Sequence, residues 1–173
     1  VSRLAASKGH EFLLAAAASI ADPRVHLCFV GDGRLRGRIE RAIASAGQGG
    51  RVHLTGLLPP ERVPTVMHAT DVLVHCSLRE GLARTLPQAM LAGKPVVSFD
   101  VDGAAEVVDE RTGVLLSAGD VPGLVQAVTR LAADADLRRR LGAAGRERAE
   151  AMFDHNEMVD EIEHLYRGLT ASR

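Results

Sequence analysis

The stretch DVLVHCSLREGLARTLPQAMLAGKPVVSFD, residues 71–100, decides the fold. Two short apolar runs, 71–77 and 94–100, flank a segment of helical composition at 86–92. Both runs are apolar at nearly every position, which is typical of parallel strands covered on both faces. A strand, a helix and a second strand of this size predict a right-handed βαβ unit.

The same alternation continues on both sides of this unit. Further strands are predicted at 25–31, 51–56 and 113–117, and further helices at 11–21, 35–46, 60–69 and 121–133. The pattern predicts an α/β fold, a doubly wound, Rossmann-like parallel sheet with helices on both faces. After about residue 134 only helical patterns follow. The last helix has an aspartate at 154 and a glutamate at 157 in capping-box spacing, and it places Met158, Ile162, Leu165 and Leu169 on one face.

Composition limits the function classes. The chain has 173 residues, a net charge of −1 and 3% aromatic residues, which predicts one domain and argues against nucleic-acid binding. Cys28 and Cys76 lie in apolar runs, which favours packed, reduced thiols in a cytoplasmic protein. The seven histidines show no zinc-ligand spacing, so no metal site is predicted. No apolar run is long enough to span a bilayer. The first four residues, 1–4, are interpreted as the end of a strand of a longer protein.

A glycine turn follows the strand predicted at 25–31. Gly31 and Gly33 flank Asp32 just before a helix, where glycine lets the backbone approach a phosphate. The next glycine comes one residue too late for the dinucleotide fingerprint, and no carboxylate follows at the spacing that holds a ribose. These two facts argue against a nicotinamide cofactor. A plain strand-to-helix turn remains the alternative.

Charged residues are predicted at the same edge of the sheet. Arg3 and Lys8 lie in the first loop and could neutralise a diphosphate, or they could be ordinary solvated cations. Glu80 and Gly81 follow a strand and precede a helix, where a carboxylate could accept sugar hydroxyls while free amides bind phosphate oxygens. The alternative for Glu80 is a favourable charge near a helix N-terminus. For Gln88 the alternative is a capping box that begins at Thr85.

Together, the segments SRL…KG, FVGDG, RVHLTGLLP, DVLVHCSLREGL, QAMLAGKPVVSFDVDGAAEVV and TGVLLSAGD resemble the C-terminal domain of the large retaining GT-B glycosyltransferases of group 1, family 4 type. Each segment alone is weak evidence, but their order and spacing as a set are specific for this family. The resemblance implies that residues 1–173 are one nucleotide-sugar-binding domain, separated from an N-terminal domain that binds the acceptor. It further implies that the complete enzyme transfers a hexosyl group with no cofactor or essential metal, and that the separated domain is inactive.

The resemblance also implies roles for single residues. Arg3 and Lys8 match a basic pair on the donor diphosphate, and Gly31 matches a glycine beside the donor. Glu80 matches the first glutamate of an E-x7-E signature, which contacts the hydroxyls of the donor sugar. Leu57 lies where the family packs the nucleotide base.

The rest of the signature departs from the common pattern. Gly81, Leu82 and Ala83 match a loop whose amides face the phosphates and the sugar, and Ala83 adds a Cβ where glycine is common. Gln88 replaces the second glutamate, which binds the ribose diol in the family. A neutral amide can still donate to and accept from a diol.

The expected partners follow from these roles. They are a nucleotide-diphosphate sugar and, on the last helix, either the N-terminal domain or a second copy of the chain. Neither nucleic acid nor an integral membrane segment is expected, although the complete protein could be peripheral to a membrane. Two other functions stay open, a non-catalytic nucleotide- or protein-binding Rossmann domain and a sugar-nucleotide epimerase. The base, the sugar and the acceptor are not predicted.

Overall fold

Strands and helices alternate along the chain in the computed structural model, which describes residues 1–171. The strands are β1 (Leu27–Val30), β2 (Val52–Gly56), β3 (Leu73–His75), β4 (Val96–Phe99) and β5 (Gly113–Leu116). The helices are α1 (His10–Ser19), α2 (Arg36–Ser45), α3 (Val63–Ala69), α4 (Thr85–Leu91), α5 (Ala104–Val107), α6 (Val121–Ala133), α7 (Ala135–Met152) and α8 (His155–Ala171). Short 3-10 turns at Ala6–Lys8 and Pro60–Arg62 precede α1 and α3.

The strands form two groups that are parallel throughout. β1 pairs with β2, and β4 lies between β3 and β5. The predicted parallel α/β fold is therefore confirmed, but the strands form two separate sheets. Ser2 and Leu4 donate backbone hydrogen bonds of 2.9 Å each to the carbonyl oxygens of Val30 and Asp32. The first residues thus run beside the end of β1, outside any strand of the structure.

β4 is buried at every position because helices cover both faces of the three-stranded sheet. Val96 of β4 packs in one cluster with residues of α4 and α7, namely Leu86, Met90 and Ala149. Val97 and Phe99 pack in a second cluster with Leu124 and Leu131 of α6. Side chains of one strand therefore supply two cores, which explains why its sequence is a continuous apolar run.

The C-terminal helices begin at capping carboxylates. Asp134 accepts a hydrogen bond of 2.8 Å from the Leu137 N–H at the start of α7. Asp154 accepts bonds of 2.7 and 3.4 Å from the N–H groups of Asn156 and Glu157 at the start of α8. The bond from Glu157 is one of the two that the predicted capping box requires, the one accepted by the aspartate carboxylate.

The apolar face of α8 is uncovered. Its four predicted members are between 46% and 63% exposed, namely Met158, Ile162, Leu165 and Leu169. This exposure confirms the expectation that part of the face is uncovered in the single chain. None of the helices within residues 1–171 combines the length and the hydropathy that crossing a bilayer requires.

One packing prediction is wrong. Cys76 is buried, but Cys28 is exposed, although both thiols were expected to be packed. Cys28 lies on the wall of a cleft of about 610 Å³ that runs between β1 and β3. The two sheets do not meet there, so this part of β1 lacks the cover that a central strand would have.

Candidate functional site

Two loops meet at the carboxyl ends of the strands. The first connects the start of the chain to α1, and the second follows β3. Lys8 of the first loop forms an ion pair with the carboxylate of Glu80 in the second. The N–H of Leu78 also donates a 2.8 Å bond to the carbonyl oxygen of Ser7. The structure therefore brings two predicted site residues, 72 positions apart in sequence, into direct contact.

Gly9 makes this meeting possible. It has a φ of 63° between the 3-10 turn and α1. A Cβ on Gly9 would stand 2.0 Å from the carbonyl oxygen of Cys76, so only glycine lets the first loop lie against the end of β3. Lys8 is consequently held beside Glu80 by backbone packing as well as by charge.

The Lys8–Glu80 pair is partly shielded from water, with side chains 18% and 23% exposed. Partial burial acts to raise the pKa of Glu80, but the hydrogen bond and charge of Lys8, with the Ser77 hydroxyl, outweigh burial and lower it. Glu80 is therefore an ionised acceptor at neutral pH. Such a pair offers a cation to a phosphate and a carboxylate to sugar hydroxyls.

Asp102 fixes the backbone of the same loop from the other side. Its Oδ2 accepts a 2.5 Å bond from the N–H of Glu80, and Gly103 donates a longer one, 3.4 Å, to the carbonyl oxygen of Gly81. Asp102 has a φ of 48°, a region that aspartate tolerates better than most residues. Neither Asp102 nor Ser77 was predicted as a site residue. The Asp102–Gly103 dipeptide, a turn signal after β4, could have marked this position.

His75 lies directly below the pair and stays neutral. Burial lowers its pKa to about 4, although the nearby Glu80 acts to raise it. Its Nδ1 is 3.3 Å from the hydroxyl of Ser98 on β4. His75 therefore contributes no second cation beside Lys8 at neutral pH.

Gly31 makes room for the chain's own first residues. It has a φ of 135°, and an added Cβ would stand 2.0 Å from the carbonyl oxygen of Ser2. The Gly31 N–H donates a 2.9 Å bond to the carbonyl oxygen of Gly56. Leu57 follows at the same edge with 78% of its surface exposed. These contacts favour the plain structural alternative for Gly31, and they bring the exposed Arg3 to this edge of the sheet.

The loop after Glu80 is open to solvent. Gly81 and Leu82 are exposed, whereas Ala83 is 6% exposed and packs in the core. Gln88 is exposed on α4. The capping-box alternative for Gln88 is wrong, because Thr85 is already helical and the N-cap residue is Arg84, whose side chain makes no cap bond.

The large cleft is distinct from this site. It meets them through Val1, Ser2 and Lys8 of the first loop and through Cys76 and Ser77 of the second. The other predicted site residues do not line it, namely Arg3, Gly31, Leu57, Glu80, Gly81, Leu82, Ala83 and Gln88. In the part of the chain that the structure describes, no three His, Cys, Asp or Glu residues form a group that could hold a metal ion.

Known proteins are similar to this chain in sequence and in fold. The family model described as "Glycosyl transferases group 1" matches residues 1–148. A 2-deoxystreptamine glucosyltransferase of Streptomyces kanamyceticus is 40% identical over 155 residues, 85% of this chain and 39% of that protein. A 2-deoxystreptamine N-acetyl-D-glucosaminyltransferase of Streptomyces fradiae is 34% identical over 173 residues, 92% of this chain and 41% of that protein.

Solved structures give the same result. Anabaena HepE in complex with UDP matches with a TM-score of 0.91 and 27% identity, over 96% of this chain and 47% of that one. A sucrose-phosphate synthase of Thermosynechococcus elongatus matches with a TM-score of 0.92 and 34% identity, over 100% and 45%. This chain therefore spans less than half the length of each of these four proteins.

Proposed function

Because this chain belongs to the group 1 glycosyl transferases, we propose that it forms the donor-binding domain of a retaining hexosyltransferase. The donor would be a sugar carried on a nucleoside diphosphate, and the acceptor would bind to a second domain of the complete protein. The observation that carries the proposal is the Lys8–Glu80 pair, which lies where two loops meet at the carboxyl ends of the strands. A solved structure of the same fold contains bound UDP, which supports a nucleotide donor.

The pair divides the chemistry of the donor between its two members. In the proposed reaction, the bond from the anomeric carbon to the diphosphate breaks while the oxygen of the acceptor hydroxyl bonds on the same face, and the hydroxyl proton passes to the departing diphosphate. Lys8 and Arg3 neutralise the charge that builds on the departing diphosphate. Glu80 accepts hydrogen bonds from the sugar hydroxyls, and the N–H groups of the loop from Gly81 to Ala83 bind phosphate oxygens.

The remaining residues place the nucleoside. Leu57, with its exposed apolar side chain, packs on the base. Gln88, whose side chain caps no helix, bonds to the ribose. Gly31 sets the turn that aligns the first loop beside them. A cytoplasmic location belongs to the proposal, and the two free cysteines support it.

Calorimetric titration with UDP, GDP and ADP tests this proposal and identifies the base. A charge-assisted hydrogen bond contributes about 1.5–3 kcal/mol, so Lys8→Ala is expected to weaken nucleoside diphosphate binding about tenfold or more. Lys94→Ala is the matched control. Lys94 is the other lysine of the chain and precedes β4, at the opposite edge of the sheet.

The control separates a local effect from a general one. We expect Lys94→Ala to bind as the unmodified chain does. Equal affinity for both variants and the unmodified chain, with all three folded, would remove Lys8 from the donor site. No binding of any nucleoside diphosphate would favour a protein-binding domain instead.

A further inference from the structure

Two histidines meet on the sheet formed by β1 and β2. His26 directly precedes β1, and His53 is the second residue of β2. The Nδ1 atom of His26 lies 3.1 Å from the Nε2 atom of His53, and the two rings are nearly parallel, with an interplanar angle of 10°. Both residues are exposed. The pair lies at the amino end of β1, whereas Lys8 and Glu80 lie at the carboxyl ends of the strands.

Arg51 fixes the backbone on both sides of His26. Its carbonyl oxygen accepts a 2.8 Å bond from the N–H of Leu27, and its Nε donates a 3.1 Å bond to the carbonyl oxygen of Val25. Arg51 also lies two positions before His53 in the chain. The backbones that carry the two rings are therefore joined before any ligand binds, which reduces the conformational entropy that binding would cost.

The distance between the two nitrogen atoms matches that between two ligands of one metal ion. Zinc–imidazole bonds are about 2.0–2.1 Å long, so two such nitrogens at ligand angles of about 90–109° lie about 2.8–3.4 Å apart. The separation of 3.1 Å between His26 and His53 falls within this range. Each ring needs only to tilt toward a common point, and the exposure of both residues leaves room for this movement.

The protons of the pair allow the ion to bind. In neutral imidazoles one nitrogen donates and the other accepts, so one of the two facing nitrogens carries the hydrogen between them. When an ion binds, that ring carries its proton on the opposite nitrogen, which is Nε2 of His26 or Nδ1 of His53. Both facing lone pairs are then free, and no proton is gained or lost overall. Imidazole ligands of this kind suit zinc, copper and nickel ions.

We propose that His26 and His53 form a binding site for one divalent transition-metal ion of the zinc class, with water in the remaining coordination positions. Within residues 1–171, no His, Cys, Asp or Glu joins them to make a group of three, so the chain supplies two ligands. The ion links the start of β1 to β2 and stabilises the folded chain. The site lies away from the donor site, and the inference does not depend on glycosyl transfer.

Calorimetric titration of the chain with zinc chloride tests the site. We expect one ion per chain. His26→Gln and His53→Gln should each weaken zinc binding at least tenfold, because even the loss of a group that only orients a ligand costs about 10–100-fold. His68→Gln is the matched control, since His68 is likewise exposed but lies on α3. Magnesium chloride is the control salt, because Mg²⁺ prefers oxygen ligands and should not bind.

Thermal unfolding gives a second measurement on the same variants. Zinc at about a hundredfold excess over its Kd is expected to raise Tm by about 5 °C or more, and neither His26→Gln nor His53→Gln should show this shift. Cys28→Ser should bind zinc as the unmodified chain does, although Cys28 lies opposite His53 in the strand register.

Four results would overturn the proposal. The first is the absence of zinc binding by the unmodified chain, and the second is unchanged affinity in both histidine variants. The third is loss of binding in Cys28→Ser, which would assign the ion to the thiol. The fourth is a stoichiometry of one ion per two chains, which would place the ion between copies.

Discussion

Glu80 is already engaged at two points before any ligand arrives. Its carboxylate pairs with Lys8 and its N–H bonds to Asp102. In the proposed complex, a donor diphosphate on Lys8 would share the cation with Glu80, while Asp102 would keep the loop in position. A pair of this kind holds both side chains near their places in the complex, which reduces the entropy that binding would otherwise cost.

The pair makes part of the stability depend on pH. Lys8 lowers the pKa of folded Glu80 below the ordinary 4.5, so the stabilisation is present above that pH and is lost as the pH falls through the lowered value. At pH 7 the unmodified chain is expected to be about 1 kcal/mol more stable than Glu80→Gln. Near pH 3 the difference should be small. Urea unfolding at both pH values measures it, and a difference that does not change with pH would contradict the assignment.

Gln88 offers a gain of function at one residue. Because Gln88 caps no helix, Gln88→Glu changes a group that is available to a ligand. A carboxylate bonds to a ribose diol more strongly than an amide does, and we expect tighter binding of the nucleoside diphosphate by about 1 kcal/mol, or fivefold. The 2′-deoxynucleotide is the control ligand and should gain much less. An equal gain for both ligands would exclude a ribose contact.

At the scale of elements, the turn into α1 can be tested with a pair of glycines. Gly9 and Gly47 have nearly equal φ values, 63° and 65°, but a Cβ on Gly47 would meet nothing within 4 Å. Gly47→Ala should therefore cost only the conformational penalty, about 1–2 kcal/mol. Gly9→Ala should cost about 1–3 kcal/mol more, because its methyl group collides with Cys76. Thermal unfolding of both variants measures the difference, and equal losses would show that the first loop moves freely.

The elements also show what the sequence predicts well. The apolar runs located every strand to within two residues. β4 is buried along its whole length, whereas its neighbours β3 and β5 are only partly buried. Helix α5 was not predicted, since four residues are too few to display a helical period. The capping box failed on the start of α4, where a shift of one residue makes Thr85 helical.

Contacts between loops could not be predicted from local sequence patterns. The bond between Glu80 and Asp102 joins positions 22 residues apart, and nothing in either segment specifies the other. Lys8 and Glu80 were predicted at the same edge of the sheet, yet their ion pair depends on how closely two backbones approach at Gly9. Distances of this kind are set by the packing of the whole domain.

For the whole molecule, the uncovered face of α8 predicts association. Exposed apolar patches of this kind mark interfaces. We expect light scattering to show a concentration-dependent dimer, and Ile162→Glu to return it to a monomer. His164→Glu is the matched control, since it adds the same charge on the opposite side of the helix. A strict monomer at all concentrations would contradict association through this face.

The exposure of Cys28 has a chemical consequence. The chain has two cysteine thiols. Burial raises the pKa of the Cys76 thiol to about 12, which leaves it inert toward alkylating reagents. Burial also raises the pKa of Cys28, but its side chain remains open to solvent on the wall of the cleft. A maleimide dye applied at mildly alkaline pH would therefore attach at one site, with no engineered cysteine. The fluorophore would lie between the two sheets.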